Sequence, residues 1–320
     1  MPTIGASGRT HVLDSATYHD FWDNSLPPRL TIASGETVIF RCRDSANGRY
    51  APDRPPAPPP AARAAGHPLT GPVAIAGAEP GDTLVVDVLA LETGSWGYTS
   101  FRAGAGLLGD DPRFAGPYVH LWDLTSDPIP FVRGVRIPKE PFLGVMGVAP
   151  AEPGRHTTMP PRRNAGNVDI KQLGVGARVY LPVLVPGALF SCGDGHAAQG
   201  DGEVCVTAIE CEMTATLRFT LLKGRAVPEL QYRTAGPIAA RTNTAPYYCT
   251  TGHGPDLMEA ARQAIRHMIA HLVEERGFTP EEAYILCSVA ADLKISEIVD
   301  APNWVVSACL PLSIFSEDAR

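Results

Sequence analysis

The stretch 164–210 gathers the residues best equipped for chemistry: Asp169, Asp194, His196, Asp201, Glu203 and Glu210, with glycines between most of them. Carboxylates held near one another and near an imidazole repel unless a proton or a cation stands between them. A divalent metal meets that need, because carboxylate oxygen and imidazole nitrogen are both ligands such ions accept. Asp194 and His196 are two apart, so on a regular strand their side chains share a face, and Gly193 and Gly195 let the backbone bend until both converge. Spacing alone does not place Asp169. A metal held here would polarise a carbonyl and lower the pKa of bound water toward ~7, with Glu140 or Glu203 nearby to take the proton. The alternative is a glycine-rich turn whose acids are solvated.

Elements must hold these groups. Residues 179–185, VYLPVLV, read as a buried strand with the polar clusters at its two ends. Upstream, 29–33 and 37–42 flank Ser34-Gly35 as a β-hairpin, with Trp22 a core plug ahead of it. A proline- and alanine-rich run at 51–66 reads as a surface loop. The turn 79–82 leads into an alternating strand at 83–91, and 93–116 has no regular period, so it reads as a surface excursion whose Trp96, Tyr98 and Phe101 line a substrate entrance. The strand 118–123 puts His120 and Trp122 on one face. Glu140 lies between Pro138 and Pro141 on stiff backbone, either as a site residue or as a salt-bridge partner. Arg162 and Arg163 read as structural, with substrate anchoring the other possibility.

After Glu210 alternation returns at 211–222, 230–233 and 247–252. Residues 255–276 carry apolar side chains at three- and four-residue steps before Gly277, which predicts a helix, and Thr279-Pro-Glu-Glu282 is a capping box opening a second one to about residue 292. His267 and His271, four apart on the first helix, read as solvated or half-buried rather than as a metal pair. A last strand covers 304–311. The expected fold class is α+β: a β-rich body of sandwich- or barrel-like sheets with a C-terminal helical pair. Residues 1–225 make the body that carries the site, and 226–320 an α+β portion packed as part of the same unit.

Composition narrows the function. The chain has 320 residues, 44% hydrophobic and 19% charged, with 27 basic against 34 acidic side chains for a net charge of −7, and no basic cluster dense enough to follow a phosphate backbone. Nucleic acid and membrane are not expected partners, and with no apolar run of ~20 residues and no apolar core in the first residues the expected location is the cytoplasm. Seven scattered cysteines without a CxxC pair argue against a disulfide framework and a thiolate zinc site.

The runs PPRRNAGNVD at 160–169, LPVLVPGALFS at 181–191 and GDGHAAQGDGE at 193–203 resemble the signature of the acetamidase/formamidase family. The likeness extends to Trp22-Asp23, Pro80-Gly-Asp82, PFLGVMGVAP at 141–150, EAYIL at 282–286 and 295–299, so it covers most of the chain. It implies hydrolysis of a short primary amide to a carboxylate and ammonia, on a β-rich α+β fold, with a divalent metal, commonly zinc; calcium or another divalent ion is the alternative. Carried onto this chain, Asp169 and His196 are the metal ligands, Asp194 a ligand or its supporting partner and a catalytic group, and Glu140 and Glu203 the acid/base candidates. The expected partners are a small amide and further copies of the chain in a homo-oligomer. Two other readings stand beside this one: a non-catalytic metal- or ligand-binding protein, and a cysteine amidase in which His196 activates Cys192.

Overall fold

A computed structural model describes residues 8–53, 66–236 and 246–316. Two long strands, Thr83–Phe101 and Glu210–Leu222, form its spine, paired antiparallel from Thr83–Leu222 to Tyr98–Glu210. Around them a large sheet runs in the order Ala165–Asn167, Phe142–Gly147, Phe190–His196, Glu210–Leu222, Thr83–Phe101, Arg178–Pro182, Gln231–Arg233, and further strands branch from its edges. Along Glu210–Leu222 buried and partly exposed side chains alternate, with Met213, Ala215, Leu217 and Phe219 inside, as a strand with one covered face requires.

The helices form where capping and periodicity place them. Asp256 caps Leu257–Arg276 by accepting from the Glu259 N–H, and Gly277 closes it at φ +67, a left-handed conformation that glycine adopts without penalty. Thr279 and Glu282 make the reciprocal capping box of Pro280–Ala290. The first helix lies on a three-stranded sheet, Tyr247–Gly254, Trp304–Pro311 and Asp292–Glu297, and the apolar faces of both helices join one continuous core with the large sheet. No helix among the described residues is long and apolar enough to cross a membrane.

Three expectations are corrected. The hairpin at 29–42 does not form: Leu30–Ile32 runs parallel to Leu69–Ile75, whereas Thr37–Cys42 pairs with Thr10–Leu13 and Glu210–Leu222. Gly35, at φ +97 and tied by its N–H to the Phe219 carbonyl, turns a corner between strand neighbours instead of joining two of its own. The region 93–116 is not wholly irregular, since the strand continues to Phe101 and its glycines at 94 and 97 lie against Glu210–Leu222. The strand joining the polar clusters is Phe190–His196, whose glycines hide it from a β-propensity reading; Arg178–Pro182 is a strand elsewhere in the sheet. Most of the proline-rich run, 54–65, lies outside the described residues.

The turn 79–82 holds its strand through Asp82, whose carboxylate accepts from the Lys223 ammonium at 2.7 Å, the Gly224 N–H at 2.8 Å and the Glu79 N–H at 2.9 Å. The Lys223 bond first, then the two backbone donors, hold its pKa at about 2 against an ordinary 3.8. A depressed carboxyl stabilises the fold fully above its unfolded pKa and loses that contribution as pH falls through the folded value. Asp82→Asn is therefore expected to lower the unfolding temperature at neutral pH and to flatten its decline between about pH 4 and pH 2, read by circular dichroism melts across that range.

Candidate active site

The site grows from the end of Phe190–His196. This strand keeps Phe142–Gly147 on one edge; on the other, Leu69–Ile75 gives way at Gly195 and His196 to Cys211 and Glu210. His196 and Glu210 are thus cross-strand neighbours, with Nε2 3.3 Å from Oε2. Asp194 brings Oδ1 to 3.6 Å of the same nitrogen. Asp169 follows Ala165–Asn167; the Val168 and Asp169 N–H groups both donate to the Gly144 carbonyl, and Asp169 Oδ1 stands 4.0 Å from His196 Nδ1. Glu203, on a turn, places Oε1 4.0 Å from Nε2. That turn is moored to the C-terminal part, where Gly200 N–H donates to the Ser288 carbonyl and Asp201 N–H to Asp292. Asp169, Asp194 and Glu203 sit at φ +47, +59 and +43, a region that non-glycine residues occupy at a cost and chiefly at functional sites.

The imidazole is oriented by Gln199. The Gln199 amide NH2 donates to the Asp169 carbonyl at 2.8 Å, which leaves Oε1 to accept from His196 Nδ1–H at 3.0 Å. The proton is thereby assigned to Nδ1, and Nε2 turns toward the carboxylates. Burial disfavours charge on His196, yet the Glu210 and Asp194 carboxylates outweigh it and hold the imidazole well above its ordinary pKa. Burial, reinforced by Asp194 and Glu210 and opposed by His196, pushes the Asp169 carboxyl up to about 7. Burial and then the Asp169 charge raise Glu203 well above the usual range. Burial raises Glu210 as well, so Asp169, Glu203 and Glu210 all lean toward their protonated forms, and a cation would displace those protons.

The residues present fit such a cation. Asp169 Oδ1, His196 Nε2 and Glu210 Oε2 are buried without a hydrogen-bond partner. Donor atoms of Asp169, His196 and Glu203, and of Asp194, His196 and Glu210, each lie within 4.8 Å of one another. Gly144 forms the floor: a Cβ there would stand 2.6 Å from Asp169 Oδ1, 2.7 Å from His196 Cε1 and 2.9 Å from Asp194 Oδ2. One imidazole nitrogen among carboxylate oxygens suits zinc and harder divalent ions.

The cluster opens onto a cleft of about 300 Å³, to which Asp169, Asp194, Glu203 and Glu210 contribute from the inner end. His67 stands beside them, its Nε2 3.8 Å from Asp194 Oδ2. Of the expected entrance aromatics only Tyr98 lines the cleft; Phe101 is buried against Phe114, Tyr118 and Tyr284. Asp169, Asp194, His196 and Glu203 come together as the spacing and the resemblance suggest. Glu140 does not join them: it lines a small separate pocket with Lys171 and Asp292, because its N–H is bonded to the Ala197 carbonyl beyond the end of the His196 strand. Asp201 also faces away, toward Gln172 and Lys171. Arg162 and Arg163 cap backbone carbonyls, His267 bonds the Thr251 carbonyl and His271 stacks on Tyr248. Glu210, present in the polar stretch without an assigned role, completes the cluster, and Gln199 and Gly144 shape it; the strand register reveals Glu210 and Gly144, and the bonds to His196 and the Asp169 carbonyl reveal Gln199.

A model of the acetamidase/formamidase family matches residues 8–156 and 151–317. The formamidase of Methylophilus methylotrophus is 29% identical to this chain, over 94% of it and 90% of that protein. Among solved structures, a gamma lactamase from Delftia acidovorans superposes with a TM-score of 0.86 at 25% identity, covering 97% of this chain and 94% of that one. An acetamidase from Bacillus halodurans does so at 0.64 and 31% identity, covering 94% and 97%. With the matched residues spanning the whole cluster, this chain belongs to the acetamidase/formamidase family and is a hydrolase acting on amide C–N bonds.

Proposed function

We propose that the chain hydrolyses a short-chain primary amide, of the formamide or acetamide kind, to a carboxylate and ammonia with the help of a divalent cation, zinc first among the candidates. The observation that carries this reading is that Asp169 Oδ1, His196 Nε2 and Glu210 Oε2 are buried without a hydrogen bond beside the cleft that Asp169, Asp194, Glu203 and Glu210 line. Asp169, Asp194, His196 and Glu210 would hold the ion. When bound, it supplies Lewis-acid polarisation of the amide carbonyl and a water of lowered pKa.

The chain's own residues do the rest. Gln199 holds the His196 ring with Nε2 presented. Glu203, with 17% of its side chain exposed where the cluster meets the cleft, takes the proton from the attacking water and delivers it to the departing nitrogen. Removing divalent ions with a chelator is expected to abolish ammonia release from formamide and acetamide, and adding zinc or another divalent ion to restore it. Full turnover after the metal is stripped would sink the proposal; a bound ion with no hydrolysis of any amide tested would favour the non-catalytic reading.

The thiol reading has little support in the geometry. Cys192 is fully buried in the apolar core, and burial, with the Cys42 thiol beside it, pushes its pKa well above the ordinary value. A nucleophile needs the thiolate and access to the cleft. Cys192→Ser, or Cys192→Ala should the buried hydroxyl unfold the chain, is expected to keep kcat within about threefold of wild type, since surroundings rather than reacting atoms change. Near-complete loss in both folded variants would restore Cys192 as the nucleophile.

We propose a cytoplasmic location as well, supported by seven cysteines that are all free thiols. A homo-oligomer is supported by exposed Ile295, Ile298 and Val299 on and just beyond the edge strand Asp292–Glu297.

A further inference from the structure

The cleft exceeds what formamide or acetamide fills. Their few heavy atoms take the space of two or three waters, ~30 Å³ each, against about 300 Å³ available. The surplus has a defined chemistry. Glu210 of the cluster pairs with Tyr98 across the spine, and beyond Tyr98 the same strand face presents Ser100 and, just past the strand end, Arg102, all lining the cleft. At ~3.3 Å per residue the backbone of Arg102 stands ~13 Å along the strand from that of Tyr98, so it occupies the outer end.

Arg102 is half-buried, and no described residue gives its guanidinium a carboxylate or a hydrogen bond. Other arginines are engaged: Arg178 and Arg218 grip Asp87, and Arg113 and Arg266 reach Asp111. The exposed Arg49 lines the same cleft, and among the described lining residues outside the cluster the one acid, Asp20, faces Arg155 at 3.9 Å. The cleft thus runs from an acidic inner end to a cationic mouth, on a chain of net charge −7 that would otherwise repel anions.

We propose that the substrate is a primary amide whose acyl chain ends in an anionic group, a carboxylate, and that Arg102 anchors it by a bidentate hydrogen-bonded pair while the amide reaches the cluster. This rests on the amidase reading above. The reaction is unchanged: the C–N bond breaks, water supplies the new carboxylate oxygen, ammonia leaves with the proton, and the distal carboxylate passes through intact.

The test compares kcat/KM for malonamate, succinamate and glutaramate with neutral aliphatic primary amides of matching length, in wild type, Arg102→Gln and Arg102→Lys. Wild type is expected to favour one of the anionic amides at least ~10-fold, a preference that weakens with added salt. Arg102→Gln is expected to erase that ratio, mainly through KM, and Arg102→Lys to recover part of it. Neutral amides cleaved with no anionic preference in wild type, or a ratio unchanged in Arg102→Gln, would overturn the anchor and leave the amidase standing. Absence of ammonia from either series would instead remove the amidase reading and this inference with it.

Discussion

Gly144→Ala is expected to lower divalent-metal affinity and amide turnover by ~100-fold or more without removing a single ligand atom. The added methyl carbon would stand within 2.6–2.9 Å of Asp169 Oδ1, His196 Cε1 and Asp194 Oδ2, closer than such atoms approach. Three elements meet at this residue: its strand neighbours put it across from Asp194, and its carbonyl accepts the N–H groups of Val168 and Asp169. They cannot all retreat, because His196 is also tied to Gln199 and Glu210 is fixed across the pairing. The surrounding strand Phe142–Gly147 is wholly buried and paired on both edges, so the fold should survive with a displaced cluster. Metal content by mass spectrometry, ammonia release and a thermal melt on the same preparation separate the outcomes. Wild-type metal content and turnover in Gly144→Ala would show that the convergence over this glycine is incidental.

The second large effect is at the imidazole. His196→Ala removes the single nitrogen donor, which both three-residue groupings share, and is expected to reduce kcat/KM by about 10³-fold or more, equivalent to ~4 kcal/mol of transition-state stabilisation. It also leaves buried Asp194 and Glu210 without their cationic or hydrogen-bonding centre, so some loss of stability accompanies it. Asp169→Asn is the companion that keeps volume: it should lose metal and activity while the melting temperature stays near or above wild type, since one member of a self-repelling acidic group is neutralised. A folded His196→Ala enzyme with wild-type turnover would remove the histidine from the reaction altogether.

Much of the site was legible because the groups that do the chemistry lie close together in the chain. Asp194, His196 and Glu203 fall within ten residues, and Asp169 is tied to them by the resemblance rather than by spacing. What stayed hidden depends on long-range pairing. Glu210 reads as the start of an alternating strand until the register sets it opposite His196, and Gly144 is one apolar-run glycine among many until two carboxylate oxygens and the His196 ring are found over it. Glu140 misled because stiff backbone between prolines looks like deliberate presentation; the direction of presentation is set by its bond to Ala197 and points away from the cleft.

The fold divides in the same way. Both helices, with their caps, were legible from local signals, since helical bonds close within four residues. The glycine-rich strand Phe190–His196 and the corner at Gly35 were not, because their partners lie far along the chain, Gly147 opposite Ser191, Leu69 opposite Gly193 and Phe219 bonded to Gly35, and no local propensity records them.

Crystals of the wild-type enzyme, measured for anomalous scattering at the absorption edges of candidate metals, test the central claim most directly. The account requires one strong peak among Asp169, Asp194, His196 and Glu210, lost in His196→Ala crystals. An active, well-diffracting enzyme with no peak there, its carboxyl groups instead sharing protons with the imidazole, would contradict it.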